Sequence, residues 1–259
     1  MQTDRSANKG AGSRVAGVVS PYHYPDGLRE GIPVGLGYFI VSFGFGITAV
    51  GQGLRFLEAL LISMTNMTSA GQVAGVTVMM TAGTILEMIL TQLVINARYS
   101  LMGISLTQKL DSRCNTPRRL LMSFGITDEI YALAVSKPYS VGPSYFYGLM
   151  TAPYLGWTLG TLFGALAGQI FPENIRMAFG IMIFAMFIAI ILPPMRREKG
   201  ILFTVFLAAA LSCLLTFLPA LSFISDGFSI ILCAVIAAAV MAFLKPIPAE
   251  EDEEGGREK

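Results

Sequence analysis

Charge is what this chain has least of. Asp, Glu, Lys and Arg together make up 14% of its 259 residues, against about 25% in an ordinary soluble domain. No charged residue occurs in 31–54, 59–86, 138–172, 177–195, 200–225 or 227–244. Uncharged, mostly apolar runs of ~18 residues or more can cross a hydrocarbon layer about 30 Å thick as helices, and so many of them exclude an ordinary soluble fold. Histidine is nearly absent: His23 stands alone, close to the start. That argues against a zinc centre and against histidine-based acyl transfer. Three cysteines are too few for a disulfide framework. Cys213 and Cys233 lie in apolar runs and read as small buried hydrophobes, whereas Cys114 lies in a basic loop. No GxxxxGK[ST] sequence is present to cradle ATP phosphates, and no barrel-type alternation is present either. No metal, cofactor or nucleic acid is expected as a ligand.

What the chain does have is a series of long apolar helices. It reads as all-α, a polytopic membrane helix bundle of about seven spans with interrupted or re-entrant segments. Residues 1–28 read as a mobile polar lead-in. They lack an apolar stretch between a basic start and a cleavage site, so a signal peptide is not expected there. The last ten residues, "EEDEEGGREK", carry six acids and two bases, and 246–259 reads as a disordered acidic tail. Between these ends, 29–245 is the transmembrane domain. Spans are expected near 31–54, 57–80, 82–105, 143–168, 174–193, 201–219 and 227–244. Pro193, Pro194 and "RREK" (196–199) are expected to end the fifth cleanly. The basic loops 106–119 and 195–199 are expected in the cytoplasm. Segment 120–137 must then be non-spanning or re-entrant, and the side of the N-terminus stays open.

Polar residues inside a bilayer are costly, so each one needs a reason. Thr77, Thr81, Thr84, Glu87, Thr91 and Arg98 follow at steps of 4, 3, 3, 4 and 7, as along one helical face. Glu87 and Arg98 then lie ~16 Å apart and cannot touch. On one reading this stripe lines a polar cavity. On the other it packs on helices, its threonines bond their own backbone and Arg98 snorkels to headgroups. "TNMTSAGQ" (65–72) puts a dense polar group at mid-span. It suits either an interrupted helix that binds a charged ligand or hydrogen bonds between unbroken helices. In "GITDEIYALA" (125–134), Thr127 reads as an N-cap with Asp128 and Glu129 in the first turn. Alternatively, those acids bind a cationic group or a proton. Gly156, Gly160, Gly164 and Gly168 recur at every fourth position, the small-xxx-small device that lets another backbone come close. That row serves helix packing or a substrate path.

"SAGQ" (69–72), "NARYSLMG" (96–103) and "TDEIYAL" (127–133), with the opening span "GIPVGLGYFIVSFGFG" (31–46), together resemble the AzlC family. That family is the large subunit of bacterial branched-chain amino acid exporters. The resemblance covers about residues 29–193, and the last two spans match in position and hydropathy only. The family often has a histidine after its NxR unit, where this chain has Tyr99. The resemblance implies a secondary transporter rather than an enzyme, exporting leucine, isoleucine or valine across the bacterial inner membrane. It also implies a small AzlD-like membrane subunit as partner, and lipid around both. It singles out Ser69, Gly71, Gln72, Asn96, Arg98, Asp128 and Glu129 as motif positions.

A zwitterionic substrate needs a cation for its carboxylate, a carboxylate for its ammonium and an apolar slot for its side chain. Arg98 suits the first and Asp128 the second. Asp128, Glu129 and Glu87 are the candidates for proton coupling. Two other classes stay open on the residues alone. One is an intramembrane enzyme that uses Asp128 and Glu129. The other is a non-transporting assembly subunit, for which the glycine row suffices.

Overall fold

The computed structural model describes residues 20–218 and 224–244. The acidic tail and most of the lead-in lie outside the described residues. Among those residues the chain forms α1 (Tyr24–Gly51), α2 (Phe56–Thr65), α3 (Ser69–Met80), α4 (Ile85–Thr107) and α5 (Thr116–Phe124). These are followed by α6 (Asp128–Val135), α7 (Pro143–Ile170), α8 (Glu173–Arg197), α9 (Lys199–Phe217) and α10 (Asp226–Leu244). Extended pairing among the described residues is limited to one isolated bridge, Leu110 with Val141. By length and composition, α1, α9 and Gly227–Leu244 can each cross a bilayer. This is a helical membrane protein. It divides into two compact units, one of residues 20–69 and 97–179, the other of 70–96 and the described part of 180–259.

The first unit is organised by α1 and α7. Pro25 opens α1 at a position where its missing N–H costs no bond, and the Asp26 carboxylate accepts from the His23 N–H at 2.9 Å. Glycine rows then bring the two helices together backbone to backbone. A Cβ on Gly27 or Gly31 would overlap the main chain of Tyr145 or Leu149, and one on Gly35 that of Ala152. From the other side, Gly156, Gly160 and Gly164 would overlap the carbonyls of Gly35, Phe39 and Phe43, and Gly168 would crowd Ile47. The row on α7 therefore faces α1 of the same chain. The same row of small residues that lets helices approach in a membrane here leaves no room for a side chain. Gly160→Leu should destabilise the unit by about 3 kcal/mol, read as a lower melting temperature in detergent. Gly37, with nothing within 4 Å of its would-be Cβ, is the matched control: Gly37→Leu should leave the melting temperature unchanged.

Two short helices pack with this pair. α5 and α6 have nine and eight residues, about 14 and 12 Å of helix, too short to span. Asn115 caps α5 and Thr127 caps α6, each side chain accepting a backbone N–H of its first turn. Ile130, Ala134, Val141, Tyr145, Phe146 and Leu149 are fully buried here. Lys137 pairs with Glu30, and the Tyr145 hydroxyl donates to the same carboxylate at 2.6 Å, tying α1 to the start of α7.

Asp111 anchors the loop before α5. Its buried carboxylate accepts from the Ser20 N–H at 3.2 Å, and from the Arg113 N–H and Nε, each at 2.9 Å. Burial pushes this carboxyl up, but the Arg113 side chain, the two backbone donors and the Arg113 charge outweigh it. The net effect holds Asp111 below the ordinary carboxylate range. Because the folded value is the lower one, the stabilisation is complete above about pH 4 and is lost as pH falls through the folded value. At neutral pH, Asp111→Asn should cost about 2 kcal/mol, and the loss should shrink in melts run at acid pH. Next to it, burial and then the Asp111 charge push the Cys114 thiol up to about 11.

The backbone selects between two alternatives at one place and corrects two expectations elsewhere. The stretch 57–80 is interrupted, as its polar group at 65–72 allowed, and forms two helices. Asn66 breaks it with extended dihedrals, and its side-chain oxygen accepts from the Thr68 N–H and hydroxyl at 3.0 and 2.6 Å. A short polar side chain thus replaces the helical bonds locally. The stripe from Thr77 to Arg98 does not lie on one helix either. α3 ends in a Schellman turn, with the Gly83 N–H on the Val78 carbonyl, the Ala82 N–H on that of Met79, and Ala82 at φ 53°. Thr84 then starts α4 by accepting from the Glu87 N–H. Thr77 and Thr81 bond carbonyls one turn back. Finally, α8 runs through Pro193 and Pro194 to Arg197. Proline removes a donor but keeps a helical φ and a free carbonyl, and the Pro194 carbonyl still accepts from the Glu198 N–H at 3.0 Å.

Candidate functional site

In the first unit the sequence-predicted residues Arg98 and Asp128 meet. The Arg98 Nη1 lies 2.7 Å from the Asp128 Oδ2. Its other terminal nitrogen donates to the Tyr99 hydroxyl at 3.1 Å, and its guanidinium carbon sits 4.9 Å from the Tyr99 ring centre. Asp128 and Glu129 open α6 behind the Thr127 cap, where the positive end of the helix favours acids. Successive residues point ~100° apart on a helix, so the two carboxylates serve different partners. Glu129 accepts from the Tyr38 hydroxyl of α1 at 2.5 Å. The Tyr38 ring stands edge-on to that of Trp157, with centres 5.3 Å apart. The Trp157 indole N–H is buried and has no acceptor among the described residues.

This cluster brings together one basic side chain on α4 and two acidic ones on α6, with the Tyr38 hydroxyl of α1 on one of the acids and the unmet Trp157 donor of α7 beside Tyr38. It is also open: the Arg98 and Asp128 side chains are 43% and 34% exposed. Both charges remain available to something that arrives.

The other motif residues lie on α3 and the middle of α4. The Gln92 side chain donates to the Gly71 carbonyl at 2.8 Å, and its oxygen accepts from the Asn96 side chain at 3.0 Å. Asn96 and the first turn of α3 are thereby joined through Gln92, a residue that the motif reading does not select. Gly71 and Gln72 are buried and Ser69 is half-buried. Glu87 lies elsewhere in the second unit. It is 2% exposed, and its carboxylate accepts from the Ser225 hydroxyl at 2.5 Å and from the Gly227 N–H at 2.9 Å. A side chain at Gly227 would overlap that carboxylate. Glu87 therefore caps the start of α10, with its charge on the positive end of that helix.

Sequence reasoning does not single out Tyr38, Gln92 or Trp157, and meets Tyr99 only as a departure from the family pattern. Two weak signals are there: Trp157 is the only tryptophan in the chain, and Gln92 stands one helical turn before Asn96. Neither tells what the side chain will meet. Among the described residues no group of three or more His, Cys, Asp and Glu is placed to hold a metal ion.

Compared with known proteins, residues 33–171 match the family model described as AzlC protein. The chain is 27% identical to inner membrane protein YgaZ of Escherichia coli (strain K12) over 236 residues, covering 88% of this chain and 94% of the relative. It is 30% identical over 172 residues to a protein of Archaeoglobus fulgidus named only as an uncharacterised membrane protein, covering 66% and 75%. It is also 22% identical over 171 residues to the branched-chain amino acid transport protein AzlC of Bacillus subtilis (strain 168), covering 65% and 66%. No solved structure matches this chain.

Proposed function

The chain belongs to the AzlC family, and from that membership we propose that it is the transporter subunit of a bacterial exporter for branched-chain, hydrophobic amino acids. It works as a multi-pass protein of about seven spans in the cytoplasmic membrane, beside a small AzlD-like subunit. The Bacillus subtilis relative is named for branched-chain amino acid transport, and the same substrate class is assigned to this chain. The observation that carries the reading is the Arg98–Asp128 pair, 2.7 Å apart and open. An adjacent cation and anion complement a zwitterion.

The substrate carboxylate competes with Asp128 for the Arg98 fork, which can take two parallel hydrogen bonds. Asp128, released, receives the substrate ammonium. One ion pair within the protein is exchanged for two with the substrate, and the buried Trp157 N–H is a further donor for it. Once the substrate leaves, Asp128 either returns to Arg98 or takes a proton. That choice couples export to the proton gradient, with Glu129 held in reserve on Tyr38. Ser69, Gly71, Gln72 and Asn96 are proposed as further substrate contacts on their own account, ordered by Gln92. A slot that reads only hydrocarbon distinguishes leucine from valine by about 1–3 kcal/mol per methylene, so modest selectivity among branched side chains is expected.

The test is efflux of labelled leucine from loaded proteoliposomes, with and without the small subunit and an imposed proton gradient. Saturable efflux inhibited by unlabelled isoleucine supports the reading. Linear, uninhibited leakage in every combination refutes it.

A further inference from the structure

α4 and α5 leave a groove between them. On α4 it is lined by Ser100, Gly103, Ile104 and Thr107, and on α5 by Thr116, Arg119, Leu120 and Ser123. Each set follows the i, i+3, i+4, i+7 stripe of one helical face. Leu106, Leu110, Met122 and Ile126 complete an apolar wall around about 370 Å³. A groove of that volume and apolar lining can take a single hydrocarbon chain.

The groove carries charge on one lining residue. Arg119 is held through its Nε, which donates to the Cys114 carbonyl at 2.8 Å. Among the described residues its two terminal nitrogens have no acceptor. From 108 to 124 the chain has Lys109, Arg113, Arg118 and Arg119 against the single acid Asp111, and that acid is already taken by Arg113 and Ser20. An uncompensated guanidinium beside a hydrocarbon-lined groove complements a phosphate attached to an acyl chain. Leu120 and Leu121, 68% and 54% exposed next to two arginines, give α5 the pattern of a helix lying in the membrane interface.

We propose that this groove binds one acyl chain of an anionic phospholipid, whose phosphate is held by Arg119. Such a lipid would seat α5 against α4 and mark the leaflet on which this loop lies, since anionic lipids and basic pockets meet at the cytoplasmic face.

Gly103 makes the proposal testable without breaking the fold. A Cβ there would meet only the Ile126 Cδ1, at 3.9 Å, so Gly103→Leu fills the groove rather than the core. Leucine also suits a helix better than glycine. The full-length protein is loaded in nanodiscs containing phosphatidylglycerol and phosphatidylcholine, transferred to detergent and washed. Retained lipid is then counted by native mass spectrometry. The wild type should retain phosphatidylglycerol in preference to phosphatidylcholine, and Gly103→Leu should retain neither above background. Arg119→Gln should weaken retention about fivefold, equivalent to the ~1 kcal/mol one basic residue contributes at an anionic surface. Arg119→Lys should keep most of it. Equal retention by wild type and Gly103→Leu overturns the proposal, as does phosphatidylcholine held as well as phosphatidylglycerol. A wild type that retains no lipid, with a Gly103→Leu variant that loses the small subunit, would assign the groove to that protein instead.

Discussion

Arg98→Gln should reduce saturable leucine efflux by about 100-fold or more while the chain stays inserted and folded. The magnitude follows from the hydrogen bonds that the substitution removes. A guanidinium gripping a carboxylate through two charge-assisted hydrogen bonds gives up about 3 kcal/mol or more when replaced by a neutral amide. The fold should be spared, because both side chains are partly exposed and glutamine leaves no buried cavity behind. Arg98→Lys keeps the charge but not the planar fork, and should recover flux to within about tenfold of wild type, with the deficit in apparent affinity. The measurement is efflux against internal leucine concentration, with protein per vesicle checked by immunoblot. Near-normal flux in both variants would make Arg98 a headgroup anchor. Loss of protein from the membrane in both would make the pair structural.

Asp128→Asn should separate two activities that the wild type combines. In the proposed cycle Asp128 alternates between Arg98, the substrate ammonium and a proton. Asparagine can do none of these as a charge, yet it keeps the size of the side chain and an oxygen that can still accept a hydrogen bond. Accumulation driven by a proton gradient should therefore fall to background, while exchange of labelled for unlabelled leucine survives at a reduced rate. Glu129→Gln should be milder, since its partner is the Tyr38 hydroxyl and an amide oxygen can still accept from it. Full gradient-driven accumulation by Asp128→Asn would reduce Asp128 to an acid in the first turn of α6. The proton site would then be sought at Glu87, where Glu87→Gln would also disturb the cap of α10 and so must be judged against the melting temperature.

The pairing of Arg98 with Asp128 is legible only in part. Both residues stand out as charges in apolar surroundings, and both lie in motif stretches. That they touch is a contact between distant parts of the chain, a long helix and an eight-residue one, and local pattern does not encode it. Glu87 shows the same limit more sharply. Its spacing to the threonines suggests one continuous polar face. That face is broken at Ala82 and Gly83, where a Schellman turn ends α3. A glycine in a helical pattern is ordinarily tolerated, and nothing local announces that the alanine before it will take a left-handed conformation. The break at Asn66 is easier to see, because short polar side chains compete for backbone hydrogen bonds.

By itself, the sequence determined that this is a helical membrane protein. With no barrel-type alternation present, long uncharged runs can satisfy their backbone in lipid only as helices, and this constraint acts within each segment. It also determined where close helix packing could occur, since glycine at every fourth position makes a flat face whatever lies opposite. The tertiary structure alone decided what lies opposite. The row on α7 meets α1, Glu87 meets a helix start 140 residues further along the chain, and the two neighbouring acids of α6 go to an arginine and to a tyrosine. Helix periodicity states which side chains share a face. Which of many similar apolar faces meet is settled by shape and by the few polar groups that must find partners across the unit, and that depends on every helix at once.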